Sequence, residues 1–286
     1  MKKLIFKGLL LIAGILILAV SCTKDNGAIS EGNGKLIMKI TDAPFPVSVV
    51  DKVMVTVDKI EIRSVQTTSA TGDNDHVEGV YTVISDKVQE FDLLKLRNGI
   101  TSDLLEIEIG TGTYDLIRMH ITASKVYLKD GTSFDMKVPS GESSGLKIRL
   151  SPELVVEEGV INEVIIDFDL SKSFHVQGNH KIAHGIKGFI FRPVLRAMCV
   201  KHAGIISGKV IENETTPIAE ANVQIMRADT VFSAAITDAN GAYALIGVPA
   251  GTYKMVCEKE GYTSVTVDQV VVKVRETTKQ NFTLTK

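Results

Sequence analysis

The sequence predicts an all-β protein, two β-sandwich domains in tandem behind a cleavable leader and a short flexible tether. Three observations predict it. Apolar and polar residues alternate with a period of two almost without interruption after Gly34, the pattern of strands with one buried face. No long stretch carries the apolar period of an amphipathic helix, and only Glu90–Leu96 reads as a short helical turn. Gly, Asp, Asn and Pro punctuate the alternation, as chain reversals between strands require.

Taken in order, residues 22–34 are polar and glycine-containing with little to bury, which suits a tether. The first domain, 35–200, opens with Leu36, Met38 and Ile40 on one face, followed by Val53, Val55, Val57, Ile60 and Ile62. Further strands are expected at Leu104–Ile109, Tyr114–Thr122, Lys125–Leu128, Leu146–Leu150, Asn162–Phe168 and Phe189–Leu195, with Thr67–Val77 as a polar loop. The second domain, 203–286, shows Ile205–Ile211, Asn222–Arg227, Ala242–Ile246, Tyr253–Glu258, Tyr262–Val267, Val270–Val274 and Gln280–Leu284, a density of short strands that suits a small sandwich. Asp238-Ala239-Asn240-Gly241 and Pro249-Ala250-Gly251 are turns. In each half a glycine turn feeds a strand whose first tyrosine should point inward, at Gly112-Thr113-Tyr114 and at Gly251-Thr252-Tyr253.

The leader occupies residues 1–21. Lys2, Lys3 and Lys7 precede an apolar run from Leu9 to Val20, and Ser21-Cys22 then gives way to Thr23-Lys24-Asp25. A spanning helix needs about 20 apolar residues. This run is shorter and ends at a small residue, as the apolar part of a signal peptide does. Leu18-Ala19-Val20-Ser21-Cys22 resembles a lipobox, where bacterial lipoproteins are lipidated on the cysteine sulfur and cleaved before it, with the favoured leucine one place early. That resemblance implies a lipoprotein signal peptide, fatty acylation (palmitate) on Cys22 and attachment to a membrane, since each buried CH2 contributes about 0.8 kcal/mol. Lys24-Asp25 resembles the charged surface-export tag of Bacteroides-type lipoproteins, with Asn26 where a further acid would stand. The expected location is the outer membrane of a Gram-negative envelope, with surface and periplasmic faces both open.

The whole chain carries 32 Lys and Arg against 34 Asp and Glu. Removing the leader takes three lysines and leaves a net charge of −5. No basic stripe with interleaved aromatics marks a nucleic-acid partner. Besides Cys22 there are two cysteines, Cys199 and Cys257. An oxidising envelope permits a disulfide between them, but Cys257 alternates with Tyr253 and Met255 and reads better as a small buried hydrophobe.

Two families match the residues in order. Residues 35–197 resemble the domain-of-unknown-function family numbered 4382, through Ile40-Thr41-Asp42-Ala43-Pro44, Val53–Ile62, Phe91-Asp92-Leu93-Leu94, Gly112-Thr113-Tyr114, Val138-Pro139-Ser140-Gly141 with Ser144-Gly145-Leu146-Lys147, Asp167-Phe168-Asp169 and Arg192-Pro193-Val194-Leu195. That family carries no established activity. Residues 203–286 resemble the carboxypeptidase regulatory-like domain, through Ile206-Ser207-Gly208-Lys209-Val210, Pro217-Ile218-Ala219-Glu220-Ala221, Thr237-Asp238-Ala239-Asn240-Gly241 and Val248-Pro249-Ala250-Gly251-Thr252-Tyr253. The second resemblance implies a transthyretin-like sandwich of the carbohydrate-binding-like group, an accessory fold and not a peptidase. Fold analogy of this kind does not identify a ligand.

Asp167 and Asp169 stand two apart on a strand, so their side chains leave the same face. They can offer oxygens to Ca2+ or pair with Arg192 and Arg196. Pairing is favoured, because no further acidic cluster supplies the roughly 6–8 oxygens that Ca2+ takes. His175, His180 and His184 fall close together but match no zinc template and read as a solvated hairpin. Pro139-Ser140-Gly141-Glu142-Ser143-Ser144-Gly145 is a turn whose N–H groups can form an anion nest, and it is no nucleophile elbow. Asp42 has good turn chemistry before Ala43-Pro44, and Asp58 reads as a solvent-facing or paired strand charge. The candidate ligand residues are therefore Ser140, Gly141, Ser144, Asp167 and Asp169. No catalytic set, metal site or cofactor is expected. The expected function is a non-enzymatic, membrane-anchored binding or adhesion module for a glycan or envelope protein, with a structural spacer or assembly subunit as the alternative.

Overall fold

The computed structural model describes residues 32–43, 49–65, 79–136, 138, 144–179, 185–213 and 215–286. The leader, Cys22, most of the tether, Thr67–Val77 and the Ser140-Gly141 turn lie outside the described residues. Among those described, no helix is long and apolar enough to cross a membrane.

The chain is all-β. Its N-terminal region carries β1 (Asn33–Ala43), β2 (Val50–Ser64), β3 (Val80–Ser85), β4 (Gln89–Asp92), β5 (Ser102–Gly110), β6 (Gly112–Leu128), β7 (Ser133–Asp135), β8 (Leu146–Val156), β9 (Ile161–Asp169), β10 (Phe174–Gly178), β11 (Ile186–Phe191) and β12 (Leu195–Cys199). One helical turn, α1 (Leu170–Ser173), follows β9. The C-terminal region carries β13 (Ala203–Glu212), β14 (Thr216–Pro217), β15 (Asn222–Arg227), β16 (Thr230–Ile236), β17 (Ala242–Pro249), β18 (Gly251–Glu258), β19 (Val265–Val272), β20 (Thr277–Lys279) and β21 (Phe282–Leu284).

The N-terminal region is built on one ten-stranded sheet in the order β3-β2-β6-β8-β12-β9-β1-β5, with β4 on β2 and β7 on β6. Its two longest strands, β2 and β6, each carry two successive partners along one edge. β2 pairs β4 over Met54–Val57 and β3 over Ile60–Ser64, while β6 pairs β8 near its start and β7 near its end. Ile62 and Ile117 from one half of the sheet share a core with Met38 and Phe168 from the other. Burying a side chain of this size contributes roughly 1.5–3 kcal/mol. β10 and β11 form a separate hairpin that stacks Phe174 on Phe191 with ring centroids 4.5 Å apart.

The C-terminal region is a sandwich of two sheets. One has β13 flanked by β14, β17, β20 and β21; the other runs β16-β15-β18-β19. Their inner faces meet through Ile206, Ile225, Leu245, Met255, Cys257 and Phe282.

Several predicted strands changed length for identifiable reasons. Tyr114–Thr122 and Lys125–Leu128 are one strand, β6, because β2 supplies a ladder along nearly its whole length and carries the chain through Ala123 and Ser124. Tyr262–Val267 and Val270–Val274 give one strand, β19, with Gln269 at φ 63° beside a shift of register in its ladder with β18. Phe189–Leu195 divides into β11 and β12 around Pro193, which has no N–H to give a ladder. Glu90–Leu96 is the end of β4 followed by a single 3-10 turn, Leu93–Lys95. β16 was not visible in the alternation, since Ser233, Ala234 and Ala235 carry little strand signal; its pairing with β15 holds it in place.

Candidate functional site

Asp167 and Asp169 sit at the end of β9, between β1 and β12. The antiparallel register sets Arg196 opposite Asp167, and the Arg196 guanidinium reaches both carboxylates, at 2.5 Å from Asp167 and 3.7 Å from Asp169. Asp169 is 2% exposed. It also lies 3.0 Å from Lys172 and accepts the Lys172 N–H, which starts α1. Arg192 is exposed and takes no part in this cluster through any described contact. Desolvation pushes the Asp167 carboxyl upward, and the Arg196 charge pulls it back.

Asp42 is not the turn residue its sequence suggests. It faces the core from β1, in register with Phe168, and is only 5% exposed. Its Oδ1 accepts the Leu170 N–H at 3.4 Å, and its Oδ2 has no hydrogen-bond partner. Burial raises its carboxyl well above the ordinary range, and the nearby charges of Asp167 and Asp169 add to that. An acid in this setting favours its neutral form. Asp58 is half-buried, with Oδ1 unpartnered.

A second polar cluster lies on β2 and β6. His120 is 4% exposed, with Nε2 at 2.8 Å from Glu61; Arg118 is 3.3 Å from the same carboxylate and stacks 3.5 Å from the Tyr81 ring centroid. Desolvation works to raise the Glu61 carboxyl, but the bond with His120 and the charges of Lys59 and Arg118 hold it below its ordinary value. Gly145 closes over the pair at φ 67°, and a Cβ there would stand 2.8 Å from His120 Nε2. Ser144 is the exposed turn residue beside it. The Glu61–His120 contact has no sequence signature, because it joins residues 59 apart across a ladder. His175 is exposed on β10, and His180 and His184 lie outside the described residues. No group of His, Cys, Asp or Glu among the described residues is arranged to hold a metal.

Cys199 and Cys257 are both free and buried. Burial raises the Cys199 thiol and takes that of Cys257 to about 12, so neither forms a reactive thiolate at neutral pH.

The two β regions meet along a seam. Lys172 donates to the Val231 carbonyl at 3.0 Å, Arg196 stacks 4.7 Å from the Phe232 ring centroid, and Gly99 faces Ala244 and Ile246. Beside the seam opens a groove of about 890 Å3, within the usual size range for ligand sites. One wall comes from the N-terminal region and includes Lys52, Asp92, Lys95, Arg97 and Lys129. The facing wall includes Glu220, Glu258, Lys259, Glu260 and Tyr262. Lys95 pairs with Asp92 and Lys259 with Glu220, each within its own wall. No sequence motif joins the two walls, although Asp92 and Glu220 each stand in one of the two separate family patterns.

Comparison with known proteins gives two family matches. Residues 33–186 match the model of a domain of unknown function (DUF4382), and residues 205–285 match that of the carboxypeptidase regulatory-like domain. Neither description names a catalytic activity. No curated protein is similar to the chain. Among solved structures, a type II cohesin–X-dockerin complex from Acetivibrio cellulolyticus is 23% identical over 28% of this chain, at a TM-score of 0.24; the chain spans 56% of that structure's length. The shaft pilin spaA from Lactobacillus rhamnosus GG is 10% identical over 89% of this chain and 98% of its own, at a TM-score of 0.27. BcpA, the major pilin subunit of Bacillus cereus, is 11% identical over 89% and 70%, at 0.25. Likenesses this slight carry no inference about architecture or function.

Proposed function

Because this chain belongs to the family of the domain of unknown function DUF4382, matched over residues 33–186 and followed by a carboxypeptidase regulatory-like domain, we propose that it is a non-enzymatic, lipid-anchored binding protein of the cell envelope. Its partner is a glycan or another envelope protein, held where the two β regions meet. The observation that carries this reading is the groove of about 890 Å3 walled by both regions. Junctions between domains are a preferred place for binding sites. The polar clusters favour structure over chemistry: Asp167 and Asp169 are engaged by Arg196 and Lys172, and Glu61 is engaged by His120 and Arg118.

The anchor is Cys22, after removal of residues 1–21, and the membrane is the outer membrane. Wild-type cells grown with radiolabelled palmitate should yield a labelled protein and the Cys22→Ser form an unlabelled one. Equal labelling of both would end the anchoring proposal. Protease treatment of intact cells distinguishes a surface-facing protein, which is digested, from a periplasm-facing one, which is protected. Capture from solubilised envelopes should recover a partner whose yield falls when groove residues are reversed in charge. An in-cell cross-linking pattern of fixed stoichiometry, unaffected by groove changes, would instead favour a spacer or assembly subunit.

A further inference from the structure

The groove walls differ in net sign: the N-terminal side sets Lys52, Lys95, Arg97 and Lys129 against Asp51 and Asp92, and the C-terminal side sets Glu220, Glu258 and Glu260 against Lys259. On the N-terminal side Lys52, Arg97 and Lys129 make no ion pair among the described residues; the Arg97 Nε–H donates to the Leu94 carbonyl at 2.7 Å, and its charge also acts on the buried Asp42. On the C-terminal side Glu258 and Glu260 are exposed and equally unpaired. No ion pair among the described residues crosses from one wall to the other. A neutral ligand leaves both sets of charges unmatched, and a ligand of single sign is attracted by one wall and repelled by the other. The groove is complementary to something acidic on one side and basic on the other.

An extended polypeptide can present that arrangement. Successive side chains along a strand point in opposite directions, so a segment with alternating acidic and basic residues shows all its acids to one wall and all its bases to the other. The main-chain groups of such a segment would also meet the side chains of Asn222 and Ser264 in the lining. A sugar would lack an open stacking face. Tyr262, the one aromatic residue lining the groove among those described, gives its hydroxyl to Glu212 at 2.9 Å and carries Lys286 5.3 Å from its ring centroid.

Resting on the binding function proposed above, we infer that the groove receives an extended segment of a partner polypeptide in which acidic and basic side chains alternate. The acids face Lys52, Arg97 and Lys129, and the bases face Glu258 and Glu260.

The test uses the full chain in detergent and four fluorescent decapeptides: alternating Glu and Lys, a block of Glu followed by a block of Lys, all Glu, and all Lys. Anisotropy titrations should give at least about tenfold tighter binding of the alternating peptide than of the block peptide with the same composition. The gap should shrink at high salt, as exposed charges are screened. The double variant Glu258→Lys, Glu260→Lys makes both walls basic. It should lose the alternating peptide and prefer the all-Glu peptide by about tenfold, like-charge contacts being costly. These wall positions are exposed, and an unchanged thermal transition would show that the variant still folds. Equal affinity for the alternating and block peptides, or unchanged preferences in the double variant, would overturn the inference. So would tighter binding of a charged oligosaccharide than of any peptide. Envelope capture separates the two claims: a partner still captured by the double variant overturns this site and leaves the binding function standing. Capture of nothing by wild type removes both.

Discussion

The two β regions share a local device but differ in what they bury. In the N-terminal region the Tyr114 hydroxyl donates to the Gly110 carbonyl at 2.9 Å, and in the C-terminal region the Tyr253 hydroxyl donates to the Pro249 carbonyl at 2.8 Å. Both tyrosines lie four residues past their acceptor and both are buried. In the N-terminal region the interior is polar in places, with Asp42, His120, Asn162 and Asp169 among its buried groups. In the C-terminal region Thr237 is the buried polar residue among those described, and its hydroxyl is satisfied by the Ile218 carbonyl and the Ala221 N–H. The same corner therefore serves a sheet that must accommodate charge and a sandwich that need not. A turn and its tyrosine are a local solution, independent of the core they border.

The comparison can be broken most forcefully in the cores. Phe168 and Phe282 are both essentially fully buried, one in each core. Truncation of either to Ala should cost about 3–5 kcal/mol. If the cores are energetically separate, calorimetry will show Phe168→Ala lowering one transition and Phe282→Ala another. A single transition lowered alike by both would mean that the seam joins them into one cooperative unit.

Arg196→Met should have the next largest effect, about 2 kcal/mol. This is below the cost for a fully buried pair because Arg196 is itself 26% exposed. It removes the guanidinium from Asp167 and Asp169 and also its stacking on Phe232. Denaturant titration measures the loss. Phe232→Leu in the same background should then cost little more, since the two act together.

The pH dependence of stability divides by sign within the N-terminal region. The folded state raises the Asp42 carboxyl above its unfolded value, so the folded chain holds that proton more tightly. The contribution of Asp42 is most favourable below the ordinary carboxylate pKa and is lost as pH rises through the raised value. Asp115 on β6, which accepts from the Arg63 guanidinium and is lowered by that bond, and Glu61, also lowered, act oppositely, losing stability as pH falls. Asp42→Asn keeps an oxygen for the Leu170 N–H and removes the ionisation. It should be more stable than wild type at neutral and alkaline pH, with the advantage vanishing in acid. A constant difference across pH would show that Asp42 is not titrating in the fold.

The smallest effect sharpens the comparison. Tyr114→Phe and Tyr253→Phe each delete one hydroxyl bond and should cost about 1 kcal/mol apiece by denaturant titration. Similar values would confirm that the corner acts locally. A clearly larger value at Tyr114 would mean that the polar interior of its region depends on it.

How much of this was legible beforehand follows the range of the interactions. Leu36, Met38 and Ile40, or Tyr253, Met255 and Cys257, advertise an inward strand face through alternation alone, and all six are buried. The asparagine-glycine turn at Asn240-Gly241 is equally local: Gly241 takes φ 69°, and the Asp238 carboxylate accepts the N–H groups of Asn240 and Ala242. The candidate pair Asp167 and Asp169 was visible as spacing on one strand, and Arg196 as a nearby cation. Asp42 misled, because a residue with good turn chemistry looks the same in sequence whether solvent or a core lies beside it. The groove was invisible, since its residues come from both regions and share no motif.

The sequence by itself determined most of the longer strands, their inward faces, the inward tyrosines at the two glycine turns and the two family resemblances, because each depends on residues a few positions apart. Only the tertiary structure decided the order β3-β2-β6-β8-β12-β9-β1-β5, the burial of Asp42 beside two other acids, and the opposed charges across the groove. Strand order and charge environment are set by which distant segments exclude water together, and a burial cost depends on neighbours that the chain brings close only when it folds.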